Sequence, residues 1–162
     1  MRVDAGEFKD AMARLSSHVT IVTAIDERGR ARGFTASAVC SLSADPPMLL
    51  VCIDRSGAAH DAFVRADRFA VNVLRESHRD LAIRFASRAV DRFAGTDFEV
   101  AGAPAPYLPD ALSVLICRRR ATHPGGDHTI LVGAVELLRT SPGEPLVYFD
   151  RRLCGLSLEP AS

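Results

Sequence analysis

The chain has 162 residues, of which 48% are hydrophobic and 25% are charged, and its formal net charge at pH 7 is zero. This length fits one domain with its own core, residues 1–162, and the composition excludes a disordered or fibrous chain. A neutral chain lacks the basic excess with which proteins bind nucleic acid, and no apolar run is long enough to span a membrane. The composition therefore predicts a globular, soluble protein.

The first part of the chain predicts a helix followed by a β-hairpin. Apolar side chains recur at helical spacing over residues 8–15, and the β-branched run over 19–25 is typical of a strand. Residues 26–29 have the composition of a tight turn, with glycine where a positive φ is needed. The second strand of this hairpin is expected to begin near Arg30 and to carry the segment 35–43.

Pro46 and Pro47 are expected to end that strand, because proline donates no hydrogen bond to a ladder. The continuous apolar run 48–53 then predicts a short strand that is buried on both faces. A short helix over 58–66 and a strand over 68–74 follow.

The second half predicts one more helix and three more strands. Ser77 is a suitable N-cap for a helix that continues to about Arg88, and residues 91–109 are rich in glycine, alanine and proline, as in a long loop. Three apolar side chains of this helix are expected to point inward: Leu81, Phe85 and Val90. The remaining strands are predicted over 111–121, 128–138 and 146–149.

Strands outnumber helices in this pattern, and the two do not alternate regularly. The pattern disfavours a doubly wound parallel sheet and favours an antiparallel barrel or sandwich with helices packed outside it. No G-x-G-x-x-G follows a strand and no phosphate-binding P-loop motif is present, so a nucleotide would not be held in either of those ways.

Residues 32–56 carry the most informative pattern of the chain. Hydroxyl side chains at Thr35, Ser37, Ser41 and Ser43 precede the apolar run, which ends in Asp-Arg-Ser over 54–56. Small hydrogen-bonding groups followed by a guanidinium and a hydroxyl suit a flat polar ring that carries a phosphate. The alternative is a solvent-facing strand edge, where such residues are common.

Two further motifs are candidates for ligand binding. Asp127 and His128 follow a glycine pair at the start of a strand, where an imidazole can either reach a ligand or merely cap the loop. A hydrolytic triad is disfavoured because no G-x-S-x-G motif is present. In the segment 91–93, Phe93 either packs under a surface salt bridge or lies against a planar cofactor, with Asp91 or Arg92 ordering the loop.

Other catalytic groups are missing from the sequence. No C-x-x-C pair occurs, so a zinc or dithiol site is not expected, and the histidines other than His128 lack metal-ligand spacing. The four cysteines (Cys40, Cys52, Cys117 and Cys154) are interpreted as thiols, most of them buried, of a cytoplasmic protein. Hydride transfer to a flavin needs no activated nucleophile or paired carboxylates, because the cofactors themselves supply the reacting groups.

Six blocks occur in an order that resembles the flavin reductase-like proteins, the reductase components of two-component flavin monooxygenases. The resemblance covers residues 8–156 and implies an FMN-binding split β-barrel of Greek-key type, mainly β with flanking helices. The blocks are HVTIVTA, RGFTASAVCSLSADPPMLLVCIDRS, FAVNVL, LAIRFASRAVDRFAG, GDHTILVGAVE and PLVYFDRRL.

The same resemblance implies an activity and its partners. Members are homodimers that reduce free FMN or FAD with NADH or NADPH, and the reduced flavin diffuses to a separate monooxygenase. A non-catalytic flavin carrier or sensor on the same fold is the alternative. A third possibility is an enzyme that keeps its flavin as a prosthetic group and reduces another acceptor.

The resemblance also implies roles for individual residues. His128 would contact the nicotinamide or the flavin ring as the catalytic residue. The expected cofactor-binding residues lie near the ring (Thr35, Ala36, Ser37, Cys52, Ile53, Asp54), at the phosphate (Arg55, Ser56), at the closing helix and loop (Phe85, Ala86, Asp91, Phe93) and in the C-terminal strand (Tyr148, Arg151).

Overall fold

The computed structural model describes residues 2–88 and 91–156. The helices are α1 (Ala5–Met12), α2 (His60–Arg65) and α3 (Arg79–Ala86), and a 3-10 turn at Glu76–His78 precedes α3. The strands are β1 (Ser17–His18), β2 (Thr20–Ile25), β3 (Ala31–Ala36), β4 (Val39–Ala44), β5 (Pro47–Asp54), β6 (Arg68–Val73), β7 (Ser113–Gly125), β8 (His128–Thr140), β9 (Leu146–Phe149) and β10 (Arg152–Gly155).

Seven of these strands form one sheet in the order β3-β2-β6-β7-β8-β5-β4, and β1, β9 and β10 form a second sheet with β9 in the middle. Neighbouring strands in both sheets pair antiparallel. The prediction of a mainly β, antiparallel protein with flanking helices is confirmed. Among the described residues, no helix combines the length and the apolar character needed to cross a membrane.

The core consists of two clusters on opposite faces of the central strands. One cluster contains Phe63 and Phe69 together with the inward side chains of β5, and the other packs Phe85 of α3 against β2, β6 and the loop that follows α3. Strands β2 and β6 contribute to both clusters because alternate side chains of a strand point to opposite faces. These two strands are therefore buried on both faces.

The prediction that the strand over 48–53 is buried on both faces is wrong. In β5 only Leu49, Val51 and Ile53 are buried, and the side chains between them are partly exposed. A continuous apolar run does not distinguish a strand with two covered faces from one with a single covered face, because apolar residues are tolerated on both.

The predicted single strand through the hydroxyl-rich segment is also wrong. The chain bends at Ser37 and Ala38, so β3 ends at Ala36 and β4 begins at Val39, and the two strands form the two outer edges of the seven-stranded sheet. Pro47 does not follow a strand end but opens β5, where it pairs with Ala44.

The starts of all three predicted helices shift, and α2 begins at His60 instead of residue 58. Helix α1 begins at Ala5, where the Asp4 carboxylate accepts hydrogen bonds from the backbone N–H groups of Gly6 at 2.7 Å and Glu7 at 3.2 Å, and it ends at Met12. Ser77 is not an N-cap, since it lies inside the 3-10 turn and α3 begins at Arg79.

The side chains of α3 agree with the prediction where the structure describes them. Phe85 is buried and Leu81 is partly buried, whereas Val90 lies outside the described residues. The helix itself ends at Ala86, two residues before the predicted end. The C-terminal strands β7 and β8 are longer than predicted, and β10 was not predicted.

A buried polar network fastens the loop after α3 to the sheet. The Asn72 side chain is fully buried; its Nδ2 donates to the carbonyl of Ile21 at 2.9 Å, and its Oδ1 accepts from the N–H of Leu108 at 2.8 Å. The buried Thr23 hydroxyl donates to the carbonyl of Pro106. These bonds satisfy polar groups that would otherwise be desolvated without a partner.

We expect Asn72→Ala to lower the free energy of unfolding by about 2–3 kcal/mol, because the N–H of Leu108 and the carbonyl of Ile21 lose their side-chain partner inside the core. Urea unfolding followed by circular dichroism measures the change. Glu27→Ala, which removes an exposed ion pair with Arg65, serves as the control and should cost less than about 1 kcal/mol. Equal effects of the two variants would contradict a stabilising role of the network.

Candidate flavin site

An open groove lies where the start of β3, the β5–α2 connection and the segment after α3 meet. Its volume is about 720 Å³. The lining residues come from those three segments: Ala31, Arg32, Gly33; Asp54, Ser56, Gly57, Ala58, Ala59; and Ala86, Ser87, Arg88, Asp91, Arg92, Phe93. Small side chains and three arginines predominate, so a ligand there meets backbone groups and positive charge.

The β5–α2 connection is organised by the Asp54 carboxylate. Its Oδ1 accepts hydrogen bonds from the backbone N–H of Ser56 at 2.7 Å and from the Ser56 hydroxyl at 2.8 Å. These bonds, together with the nearby His128 and His60, lower the pKa of Asp54 below its usual value. The carboxylate is therefore ionised at neutral pH, and it holds the turn through which the chain enters α2.

The hydrogen bonds of this connection involve both predicted phosphate ligands, Arg55 and Ser56. The Ser56 hydroxyl donates to Asp54, so it must turn away before it can donate to a phosphate. The Arg55 side chain is exposed, and its backbone N–H donates to the carbonyl of Asp127 at 3.0 Å. Ser56 lines the groove and Arg55 does not, and their role as phosphate ligands stays a prediction.

His128 lies beside this turn because β5 and β8 pair in a register that places Asp54 opposite it. Its Nδ1 is 2.7 Å from Oδ1 of Asp127, and that hydrogen bond lowers the pKa of Asp127. The imidazole is 41% exposed. With Nδ1 held by the carboxylate, Nε2 is the ring atom left to contact a ligand.

A second histidine, to which the sequence assigned no role, belongs to the same cluster. His60 opens α2, and its Nε2 lies 2.8 Å from the hydroxyl of Thr129, the residue after His128. Its Nδ1 lies 3.1 Å from Asp61. No sequence spacing pointed to His60, because only the pairing of β5 with β8 brings α2 next to Thr129.

The predicted ring-contacting residues of β3 and β5 differ in how accessible their side chains are. Thr35 is half-buried and its hydroxyl donates to the carbonyl of Ala82 in α3 at 2.6 Å, whereas Ser37 is exposed. Ala36 and Ile53 are buried in the core, so a ligand would meet only their main-chain groups. Burial raises the pKa of the Cys52 thiol, which is therefore protonated at neutral pH.

The aromatic wall of the groove rests on α3. Phe93 lines the groove and packs edge-on against the buried Phe85, with ring centroids 5.0 Å apart. Gly33 allows β3 to approach these rings, since a Cβ at that position would lie 2.7 Å from Cε1 of Phe85. The two predicted residues thus lie side by side, but only Phe93 lines the groove, and their contact with a cofactor stays a prediction.

The segment after α3 is ordered by both residues that the sequence suggested. The Asp91 carboxylate accepts hydrogen bonds from the N–H groups of Phe93 and Ala94, each at 3.0 Å. The Arg92 guanidinium donates to the carbonyl of Gly33 at 2.7 Å and to that of Ser87. Arg92 thus joins this segment to β3, and its buried Nε atom has no hydrogen-bond partner among residues 2–88 and 91–156.

Tyr148 and Arg151 do not line the groove. Both belong to the three-stranded sheet region, where Tyr148 pairs with Ser17 and the Arg151 guanidinium forms an ion pair with Asp10. Their predicted contact with a cofactor stays a prediction. Within residues 2–88 and 91–156, no cluster of three or more histidine, cysteine, aspartate or glutamate side chains has the geometry of a metal site.

Five of the predicted cofactor-binding residues line the groove: Asp54, Ser56, Ala86, Asp91 and Phe93. The structure adds Arg32, Gly33, Ser87 and Arg88, which the sequence analysis did not assign. Arg32 and Gly33 stood at the start of the quoted hydroxyl-rich block, and Ser87 and Arg88 stood inside LAIRFASRAVDRFAG. Only their membership in those blocks could have indicated from the sequence that these residues line the groove, because arginine is too frequent in this chain to indicate a site by itself.

Comparison with known proteins identifies the family of this chain. Residues 12–157 match the family model of the flavin reductase like domain. The chain is 43% identical to the actinorhodin polyketide dimerase of Streptomyces coelicolor, over 96% of this chain and 89% of that protein. It is 44% identical to the NADH:riboflavin 5′-phosphate oxidoreductase of Streptomyces pristinaespiralis, over 90% of this chain and 84% of that protein.

The fold is similar to that of a solved reductase. The NADH:FAD oxidoreductase of Streptomyces globisporus C-1027, in complex with NAD and FAD fragments, superposes with a TM-score of 0.88 at 28% identity, and the match covers 97% of each chain. The split-barrel prediction is thereby confirmed. Family model, sequence identity and fold agree, and the chain belongs to the flavin reductase-like family.

Proposed function

We propose that this chain is an NAD(P)H-dependent flavin reductase, which transfers a hydride from a reduced nicotinamide nucleotide to free FMN or FAD. One observation carries the proposal: His128, held by Asp127, is paired across the sheet with Asp54, and Asp54 lines a 720 Å³ groove together with three arginines. A groove of this kind suits an anionic, flat molecule, and contact between that molecule and the His128 imidazole is part of the proposal.

The groove has the chemistry that a flavin phosphate requires. Arg32, Arg88 and Arg92 supply guanidinium groups, and the small residues 57–59 let a phosphate approach the backbone. Arg92 also fixes the shape of the groove wall, because its guanidinium donates to the carbonyls of Gly33 and Ser87. Phe93 provides an apolar edge for the ring.

When bound, the flavin accepts the hydride, and the protein residues act by positioning and by excluding water. Asp127 orients the His128 ring, so that Nε2 can hold a polar group of the nicotinamide or of the flavin at the reacting face. The protonated Cys52 and the ionised Asp54 are not nucleophiles in this scheme. Asp54 instead maintains the turn on which the groove depends.

The pair NADH and FMN is the proposed choice of substrates. The relative from Streptomyces pristinaespiralis is named for NADH and riboflavin 5′-phosphate, and 44% identity over most of both chains supports the same pair here. The reduced flavin is proposed to leave the groove and to serve a separate monooxygenase. The openness of the groove to solvent along the exposed residues Ser56, Arg88 and Asp91 supports such release.

A homodimer is part of the same proposal. Between β4, β5 and the ends of β2 and β6 lies a mostly apolar depression of about 470 Å³, which includes Val39, Met48 and Val73. A second copy that covers this depression would remove apolar surface from water. Tyr148 and Arg151, which lie outside the groove, would then be candidates to reach a site from the partner.

A cytoplasmic location is proposed because Cys40, Cys52, Cys117 and Cys154 are unpaired thiols.

Mixing the pure protein with FMN and NADH without oxygen should bleach the visible absorbance of FMN over many turnovers, since the flavin is a substrate that exchanges. The absorbance of FMN with NADH alone is the control. Absence of bleaching with either flavin and either nicotinamide nucleotide would refute the reductase. Flavin that stays bound through dialysis and is not turned over would instead identify a carrier.

We expect His128→Ala to lower kcat by about tenfold or more while the dissociation constant of FMN changes less than about threefold, because the imidazole positions the reacting rings. Steady-state kinetics and flavin fluorescence titration measure the two quantities. His123→Ala is the matched control, since His123 is an exposed histidine on the neighbouring strand β7 and is paired with Ile130 instead of Asp54. Equal loss of turnover and of flavin affinity in His128→Ala would make His128 a flavin ligand only.

A further inference from the structure

A second groove adjoins the proposed flavin site. It has a volume of about 280 Å³ and lies between the β2–β3 turn and α2. Arg32 and Ala58 line both grooves, so one ligand can extend from the first into the second. Arg28, Arg30 and Arg65 line only the second groove.

The three carboxylates that line this second groove already accept hydrogen bonds or form ion pairs with neighbouring side chains and backbone groups. Asp26, whose side chain is 10% exposed, accepts hydrogen bonds from the backbone N–H groups of Arg28 and Arg30, each at 2.9 Å. It also accepts from Nε of Arg30 and of Arg32, each at 3.0 Å. These bonds lower the pKa of Asp26, so the carboxylate is ionised and holds two guanidinium groups in place.

The two other acidic side chains bind their neighbours. Asp61 lies 3.1 Å from Nδ1 of His60, and Glu27 forms an exposed ion pair with NH1 of Arg65 at 3.2 Å. Four arginines thus face three carboxylates that already have partners. Within residues 2–88 and 91–156, the exposed Arg28 guanidinium makes no hydrogen bond or ion pair, so its donors are available to an anion.

We propose that this second groove is a subsite for an adenosine 5′-phosphate group that is covalently joined to a ligand in the flavin groove. The inference rests on the proposed function. Guanidinium groups bind phosphate with charge-assisted hydrogen bonds and also stack on the faces of aromatic rings such as adenine. Arg28 and Arg65 are the specificity-determining residues, whereas Arg32 and Arg30 are held by Asp26 and form the wall shared with the first groove.

Two substrates carry this group, and they extend from different rings. In FAD an adenylate is joined to FMN, and in NADH an adenylate is joined to the nicotinamide mononucleotide. The subsite gives the chain a preference for whichever dinucleotide enters the flavin groove with its adenylate directed toward α2. FMN and reduced nicotinamide mononucleotide lack the adenylate and cannot use the subsite.

The test compares Arg28→Ala/Arg65→Ala with Arg14→Ala/Arg120→Ala, which removes two exposed arginines that line neither groove. Flavin fluorescence titration gives the dissociation constants of FMN and FAD, and steady-state kinetics give KM for NADH and for reduced nicotinamide mononucleotide. We expect the first variant either to weaken FAD binding about tenfold or to raise KM for NADH about tenfold. The corresponding mononucleotide, FMN in the first case and reduced nicotinamide mononucleotide in the second, should change less than twofold. The control variant should change none of these values more than twofold.

The source of the adenylate follows from which ligand the first variant weakens selectively. Weaker binding of FAD but not of FMN identifies FAD, and a higher KM for NADH but not for its mononucleotide identifies NADH. If neither pair separates, or if FMN and FAD weaken equally in the first variant, the adenylate subsite is overturned while the reductase proposal stands. If wild-type protein binds no FMN and turns over no NADH, the proposed function itself fails, and the subsite fails with it. Circular dichroism of each variant confirms that the fold is intact.

Discussion

The pairing of β5 with β8 is the constraint on which the candidate site depends. The register runs from Met48 opposite Ala134 to Asp54 opposite His128. Residues directly opposite each other in an antiparallel pair project to the same face, so this register places the imidazole next to the turn that begins α2. A slip of one residue would send His128 to the other face of the sheet. The buried side chains Leu49, Val51 and Ile53 oppose such a slip, because it would expose them.

Carboxylates act in this site as structural acceptors, and three arginines line the groove beside them. Asp54 binds Ser56, Asp91 binds the amides of its own loop, and Asp127 binds His128. Each carboxylate accepts hydrogen bonds from a nearby partner, whereas Arg88 and Arg28 line the two grooves. A chain with no net charge can therefore still present a positive site to a phosphate, since charges of opposite sign are separated locally.

Contacts between distant segments build the groove around that site. A hydrogen bond from Thr35 joins α3 to β3, and a hydrogen bond from Arg92 joins the segment after α3 to Gly33. Asn72 hydrogen-bonds Leu108 and so fastens the later part of that segment to the sheet. The long segment after α3 has little regular structure, and these side-chain bonds to backbone groups replace the ladder or helix bonds that it lacks. The groove owes its shape to these bonds and to the close approach that Gly33 permits.

Local patterns were sufficient for most of the elements, the antiparallel class and the family, because apolar periodicity and block order are properties of neighbouring residues. The split of the hydroxyl-rich segment at Ser37 and the single covered face of β5 escaped prediction, since both depend on which strands lie alongside. Likewise, Asp54, His128 and Phe93 could be named from their motifs, but His60, Arg32 and Arg88 could not. Their positions follow from pairings between residues far apart in the chain, and only the folded structure decides those pairings.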